Sequence, residues 1–336
     1  MIKYCLPAII VLVGLVYFSA VKFIAPWISH AEIINAIEEA CASCEIEIGH
    51  VSFALLSPLD VGVHGLKLKV GYAGGSEAIM RVDEIEVIGS FSKSSRAKIV
   101  IEKIRIIDPV ISFGDGDAVT NKKRHKAEPG PIVVVENIEI IKGEFTYIRG
   151  TKGTSATLHL HDINGSLGPI ESTGDEIAKA HLKNRIENSG SIEIDIAAKL
   201  KGPDHVDVSV AMREQNLADT NAFFKPNAGV TLTGILEKGR GRVRVRDQQA
   251  QASVWAVYHG LSLELSPMYD RSALMAFLTN LGAELVMADD DTDLDKKDQM
   301  QIVDVPREKD ERIIGYVLRS LKEAAIKVAR DAPKKK

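Results

Sequence analysis

The chain has 336 residues, of which 45% are hydrophobic and 26% charged, so it is not a wholly disordered protein. Its 42 basic and 46 acidic residues give a net charge of −4, and no global positive field favours nucleic acid as a partner. Aromatic residues make up only 5%, which is low for the base-stacking surfaces of single-strand-binding proteins.

The first segment of the chain predicts a membrane anchor. Residues 5–21 carry no charge, and after Lys22 the chain stays apolar to Ile28, so residues 1–28 have the length of one transmembrane helix. A cleaved signal peptide is the alternative, but its best cleavage site has Phe18 where a small residue is needed. A weak positive-inside bias places the N-terminus in the cytoplasm, so the rest of the chain would be exported.

Residues 29–44 predict a short amphipathic helix just outside the membrane, because Ile33, Ile34 and Ile37 recur at helical spacing. The helix ends at Cys41 and Cys44. Neither a redox motif between a strand and a helix nor a second pair of zinc ligands accompanies these cysteines. They are interpreted as a local disulfide or as two plain thiols.

Between Glu45 and Leu265 the sequence predicts a β-rich domain, residues 45–265. Apolar and polar residues alternate in short β-branched segments such as His205–Val210 and Gly241–Arg246, with turn residues between them. This pattern is typical of antiparallel strands with one apolar and one polar face. Only residues 175–188 and 215–224 could be helical.

An internal repeat runs through this domain. Val82–Ile88, Ile101–Ile107 and Val135–Ile141 share one order of aliphatic, acidic and charged residues, and Ile111–Phe113 matches Phe145–Tyr147 further along the second and third copies. Repeated strand units imply equivalent strands stacked along an elongated sheet. The alternative is that any two alternating strands look alike.

The apolar faces of about ten strands need a cover, and helices are too few to provide it. A sandwich or partly closed barrel is one solution, and a sheet folded over an apolar groove filled by lipid acyl chains is the other. Such a groove would be on the order of 50 Å long, which suffices to hold a lipid but not to bridge two membranes. The predicted lipid-binding residues share one parity within the repeats: Ile85, Val87, Ile104, Ile106, Ile138 and Ile140.

A second candidate site is a row of arginines. Arg240, Arg242, Arg244 and Arg246 alternate along one strand, so they share a face that either contacts a phosphate or lipid headgroup or is simply solvated.

No catalytic, metal or cofactor site is predicted. His159 and His161 have the spacing of two metal ligands on one strand, but no third ligand can be assigned. The aspartates between Asp289 and Asp295 lack the glycine and the glutamate of a calcium loop. Nucleophile elbows, phosphate loops and zinc-protease helices are missing from the sequence, so we expect a protein that is not an enzyme.

The C-terminal part of the chain changes character. We predict a helix within residues 266–288, an acidic linker over residues 289–311, and a basic amphipathic helix with its tail over residues 312–336. The last helix has a complete aliphatic face, and from Arg312 onward the chain has eight basic and two acidic residues. It either caps the open end of the sheet or lies on an anionic bilayer.

These features resemble the AsmA-like family of envelope proteins, related in architecture to TamB and the chorein-type bridge proteins. The resemblance covers roughly residues 1–265 and rests on the N-terminal span and five segments: Glu45–Val51, Leu59–Leu68, Ile104–Ser112, Ile138–Tyr147 and Leu158–Asn164. The family is recognised by pattern rather than by invariant chemistry. This chain departs from it by being short and by ending in helices.

The resemblance implies a mainly β fold with an N-terminal transmembrane helix and an elongated antiparallel sheet folded over an apolar groove or closed as a sandwich. The C-terminal helices expected from the sequence are added to this fold. It implies a single-pass inner-membrane protein whose periplasmic domain handles phospholipid or supports outer-membrane assembly. The expected partners are the phospholipid bilayer, acyl chains and an envelope protein, with no nucleic acid and no cofactor. The alternative is a structural adaptor of the cell envelope that binds no lipid.

Overall fold

The computed structural model shows a mainly β protein built on a large mixed sheet, which confirms the predicted fold class in outline. It describes residues 44–54, 57–72, 76–92, 98–115, 132–150, 155–171, 176–199, 201, 205–265 and 303–308, together with Ile313, Tyr316, Val317, Arg319, Ser320, Leu321, Glu323 and Ala324. Within these residues no helix has the length and apolar character needed to cross a bilayer. The predicted anchor, the helix expected over residues 29–44 except for Cys44, and the helix expected within residues 266–288 lie outside them.

The described strands are the following: β1 Cys44–Glu47, β2 His50–Ala54, β3 Ser57–Tyr72, β4 Ser76–Ser92, β5 Lys98–Ile107, β6 Val110–Asp115, β7 Ile132–Arg149, β8 Ala156–Gly168, β9 Ile170–Glu171, β10 Ile177–Ile186, β11 Ser189–Lys199, β12 His205–Asn216, β13 Val230–Arg246, β14 Gln249–Leu265 and β15 Val303–Pro306. A 3₁₀ helix, Leu217–Thr220, leads into helix α1, Asn221–Ala228. The chain forms two compact units. Unit 1 comprises Met1–Ile148 and His161–Ala180, and unit 2 comprises Arg149–Leu160 and His181–Lys336.

In unit 1 the second and third repeat copies lie side by side. Strand β5 pairs with β7 in parallel, and Ile104 meets Ile138 at the matching position of the next copy. Strand β6 continues this register, with Phe113 opposite Tyr147 and their rings stacked at 5.9 Å between centroids. The first copy, in β4, pairs with β5 in the antiparallel sense. The predicted antiparallel sheet is therefore mixed in this unit, with antiparallel pairing of β4 to β5 and parallel pairing of β5 to β7.

One backbone irregularity recurs in both parallel copies. Asp108 and Lys142 occupy equivalent positions, and both have left-handed backbones with φ of 48° and 53°. Pro109 follows Asp108 and lacks a backbone N–H, so the second copy divides into β5 and β6. Gly143 stands at the same place in β7, where an added Cβ would lie 3.1 Å from the Cγ of Pro109. The glycine therefore keeps β7 continuous while the proline of its neighbour packs against it.

Unit 2 is built on an antiparallel ladder from β11 through β12, β13 and β14 to β15. Asp247 and Gln248 both have positive φ, the geometry of a type I′ turn, and they join β13 to β14. Two elements differ from expectation. The helix considered for residues 175–188 is wrong, because Ile177–Ile186 is strand β10, with Ala178, Asn184 and Ile186 buried on alternating positions. The helix considered for residues 215–224 is partly right, since α1 begins at Asn221.

The C-terminal helical residues cover the apolar face of the unit 2 sheet. Tyr316, Val317 and Ala324 are buried against Val243 and Val245 of β13 in one core cluster. Gly241 leaves room for this helix, because an added Cβ would lie 3.0 Å from the Cδ2 of Leu321. The described residues of this helix therefore lie against the sheet, as in the first of the two expected placements, but on its apolar face. Within the predicted acidic linker, Val303–Pro306 forms β15 beside β14.

We expect Tyr316→Phe to destabilise unit 2. The side chain of Tyr316 is fully buried, and its hydroxyl donates to the carbonyl oxygens of Val305 and Gln248. Loss of the hydroxyl removes these hydrogen bonds, which costs about 0.5–1.5 kcal/mol, while the carbonyl oxygen of Gln248 still accepts from the backbone N–H of Arg307. Hydrogen exchange of the β14 and β15 amides should report this loss.

Tyr258→Phe is the matched control, because the Tyr258 hydroxyl on β14 makes no hydrogen bond within the described part of the chain. Equal protection of β15 in both variants would contradict the anchoring role of Tyr316.

Candidate functional site

The six predicted lipid-binding residues form one continuous apolar strip in unit 1. The strip has two rows across three strands: Val87, Ile104 and Ile138, and then Ile85, Ile106 and Ile140. Each β5 member pairs with one residue of β4 and one of β7, as the shared parity predicts. Contact with lipid remains a prediction.

The strip is enclosed in its first row and more open at one end of its second. Ile104 is 0% and Ile138 1% exposed, so water is excluded there. In the second row the exposure rises from 1% at Ile85 to 8% at Ile106, and Ile140 is half-buried. An apolar ligand would therefore find accessible surface at the β7 end of the second row.

The opposite face of the same strands carries a network of ion pairs. Arg105 lies between two carboxylates, 2.6 Å from Glu86 and 3.6 Å from Glu139. Lys103 donates to Glu139 at 2.8 Å, and the amide of Asn137 reaches the same oxygen at 3.3 Å. Half-exposed ion pairs of this kind each contribute little stability. They show that this face of the three strands is polar, whereas the opposite face carries the apolar strip.

A polar cluster on β2, β3 and β4 was not predicted from the sequence. The hydroxyl of Ser52 lies 3.1 Å from Nε2 of His64, whose Nδ1 lies 3.8 Å from Glu84, and the ring of His50 stacks on His64 at 4.3 Å. The order of serine, histidine and acid is that of a hydrolase triad. The distance from His64 to Glu84 exceeds that of a hydrogen bond, so the acid does not orient the imidazole as a catalytic acid does. The absence of a side chain at Gly62 leaves room for the Ser52 hydroxyl, since a Cβ there would lie 2.5 Å from the Ser52 oxygen.

The arginine row on β13 does not act as one group. Arg246 lies 2.6 Å and Arg244 3.3 Å from the carboxylate of Asp207, across the ladder on β12. Arg240 and Arg242 are exposed and make no ion pair or hydrogen bond among the described residues. Two of the four predicted headgroup contacts are thus paired with an acidic side chain, and two have no such partner among the described residues.

The pairing of Asp207 with Arg244 and Arg246, which we call the Asp207 clamp, shifts the pKa of Asp207. Desolvation on its own would raise the pKa of Asp207, but hydrogen bonds and positive charge from Arg246 and then Arg244 outweigh it. The pKa of this carboxyl is therefore below its ordinary value. Strand parity placed Asp207 on the polar face, but its pairing with Arg244 depends on a register that the sequence does not reveal.

The candidate metal ligands are not assembled. His159 is exposed on β8, and Nδ1 of His161 lies 3.4 Å from the adjacent Asp162. In the described part of the chain, no three side chains of the metal-binding types come together. The aspartates from Asp289 to Asp295 lie outside that part.

Comparison with known proteins adds no family assignment. The sequence matches no protein-family model, and no curated protein sequence matches it significantly.

We expect Asp207→Asn to remove a pH-dependent part of unit 2's stability. The folded-state pKa lies below the unfolded-state value of about 3.8, so the contribution is complete above that pH and is lost as the pH falls through the folded-state pKa. Because solvent screens the pair, the loss near neutral pH should be about 0.5–1 kcal/mol.

The measurement is unit 2 hydrogen exchange from neutral to acidic pH. Asp304→Asn, which changes an exposed aspartate of β15, is the control. A wild-type acid profile in the Asp207 variant would show that the clamp has no net effect.

Proposed function

We propose that the protein handles membrane phospholipid through the apolar strip of unit 1, without catalysing a reaction. In this proposal it is an AsmA-like protein, anchored in the inner membrane by residues 1–28, with its β-rich part in the periplasm. Its role is phospholipid movement or the assembly and upkeep of the outer membrane.

The observation that carries the proposal is the continuity of the strip. Six aliphatic side chains follow one another across β4, β5 and β7 without a polar residue between them, while the ion pairs are confined to the other face. An acyl chain gains about 0.8 kcal/mol for each methylene removed from water. The half-buried side chain of Ile140 supplies the accessible end at which such a chain can make contact.

A second candidate is a structural adaptor that binds another envelope protein and no lipid. The observation that favours it is the covered face of unit 2, where Tyr316, Val317 and Ala324 fill the apolar side of the sheet with the chain's own residues. If unit 1 is filled in the same way, the protein offers partners only its polar faces and edges.

Photocrosslinking from the strip tests lipid contact. The full chain, made in cells with two membranes, would carry p-benzoylphenylalanine at Ile140 or, as the control, at Glu139, which points to the opposite face of β7. We expect mass spectrometry to find lipid adducts at position 140 and none at position 139. Crosslinks to protein alone at position 140, in a folded chain, would favour the adaptor.

The proposed topology has a separate test. A single cysteine at Ser209, an exposed position on β12, should react with an impermeant thiol reagent once the outer membrane is permeabilised. The native cysteines would be changed to serine, and the chain should keep its full length. Protection of the cysteine, or loss of about twenty N-terminal residues, would contradict the anchor.

A further inference from the structure

Four cations of unit 2 form a group that we call the cation patch: Arg213, Lys238, Arg240 and Arg242. Arg213 on β12 lies directly opposite Lys238 on β13, and Arg240 and Arg242 follow Lys238 at alternate positions of the same strand. With a rise of about 3.3 Å per residue, neighbouring cations on β13 are spaced by about 7 Å. All four side chains are exposed.

Among the residues that the structure describes, no ion pair compensates the charge of the cation patch. None of its four side chains makes an ion pair or hydrogen bond within the described residues, and the adjacent carboxylates Glu214 and Glu237 do not pair with them either. Like charges placed directly opposite each other in an antiparallel pair, as Arg213 and Lys238 are, destabilise a sheet. Arg244 and Arg246 on the same face differ from the patch, since they share the carboxylate of Asp207; within the described part of the chain only this end of the row is neutralised.

Apolar side chains border the cation patch. On β14, Trp255 lies opposite Arg240 and Val257 opposite Lys238, and both are half-buried. Ile235 precedes Lys238 on β13 and is 45% exposed. Cations beside an aromatic and aliphatic side chains are the composition of protein surfaces that lie at the headgroup level of a membrane.

We propose that the cation patch binds the surface of a bilayer containing anionic lipid, with the phosphate headgroups contacting its arginines and lysine and Trp255 at the interface. The cations form a row along a strand rather than a ring around one point, and this suits an extended array of phosphates. The net charge of −4, and the presence of one aromatic ring beside the patch in the described part of the chain, argue against a nucleic acid as the occupant. This inference goes beyond the lipid handling proposed for unit 1 and does not require it.

The fluorescence of Trp255 in the full chain provides a local readout. The chain has two tryptophans, so Trp27→Phe leaves Trp255 as the only one. We expect vesicles of brominated phosphatidylglycerol and phosphatidylcholine to quench this fluorescence, and vesicles of brominated phosphatidylcholine alone to leave it unchanged. Attachment of the N-terminal segment to both kinds of vesicle does not affect the comparison. The quenching should decline as salt rises, because salt screens the attraction between the cations and the anionic headgroups. The Debye length is about 10 Å at 0.1 M salt and shortens as the salt concentration rises.

The double variant Arg240→Gln, Arg242→Gln should bind anionic vesicles roughly thirtyfold more weakly, as measured by the quenching of Trp255. Arg81→Gln with Arg185→Gln is the matched control, because it removes the same charge from exposed positions outside the cation patch. The patch pair should not change the thermal unfolding of the chain, since Arg240 and Arg242 make no ion pair or hydrogen bond among the described residues.

Three results would overturn the proposal. The first is equal quenching by neutral and anionic vesicles, and the second is equal affinity of the patch and control variants for anionic vesicles. The third is salt-sensitive binding of a single-stranded oligonucleotide that depends on Arg240 and Arg242 while anionic vesicles leave Trp255 unquenched.

Discussion

The structure depends on one constraint: each strand has an apolar face that must be removed from water. In unit 2 the C-terminal helical residues meet this need, and Tyr316 ties them to the sheet through the carbonyl oxygens of Val305 and Gln248. Gly241 belongs to the same solution because it lets Leu321 approach the sheet. In unit 1 the corresponding face carries the apolar strip, whose first row is enclosed and whose second row ends at the half-buried Ile140.

On the polar faces of the strands, the main constraint is the pairing of opposite charges. Around Arg105 and around Asp207, cations and carboxylates meet across neighbouring strands, and each charge has a partner. At Arg213, Lys238, Arg240 and Arg242, no carboxylate among the described residues pairs with the cations. A sheet can tolerate the repulsion between like charges where its core is stable, and in unit 2 the buried valines of β12 and β13 contribute to that core.

Local patterns in the sequence predicted much of this fold, and non-local pairing explains the rest. Period-two alternation identified the β-rich region, and equal parity identified the members of the apolar strip. The parallel pairing of β5 with β7 was missed, because strand direction depends on a connection rather than on the strand residues. Ile177–Ile186 has ambiguous local propensity, and its neighbours in the sheet decide that it is a strand. The pairing of Asp207 with Arg244 and the joining of β15 to β14 likewise depend on register, which single strands do not encode.

The parallel register of the repeat copies has a consequence for how such a chain can grow. Because β7 repeats β5 in the same direction and at matching positions, a further copy inserted after it would place its isoleucines in the same two rows. Each such duplication would widen the apolar surface by one strand spacing, about 4.8 Å, without reversing or shifting the pattern. The width of that surface is thus set by copy number, so short and long proteins of this architecture can arise from one unit by duplication or deletion.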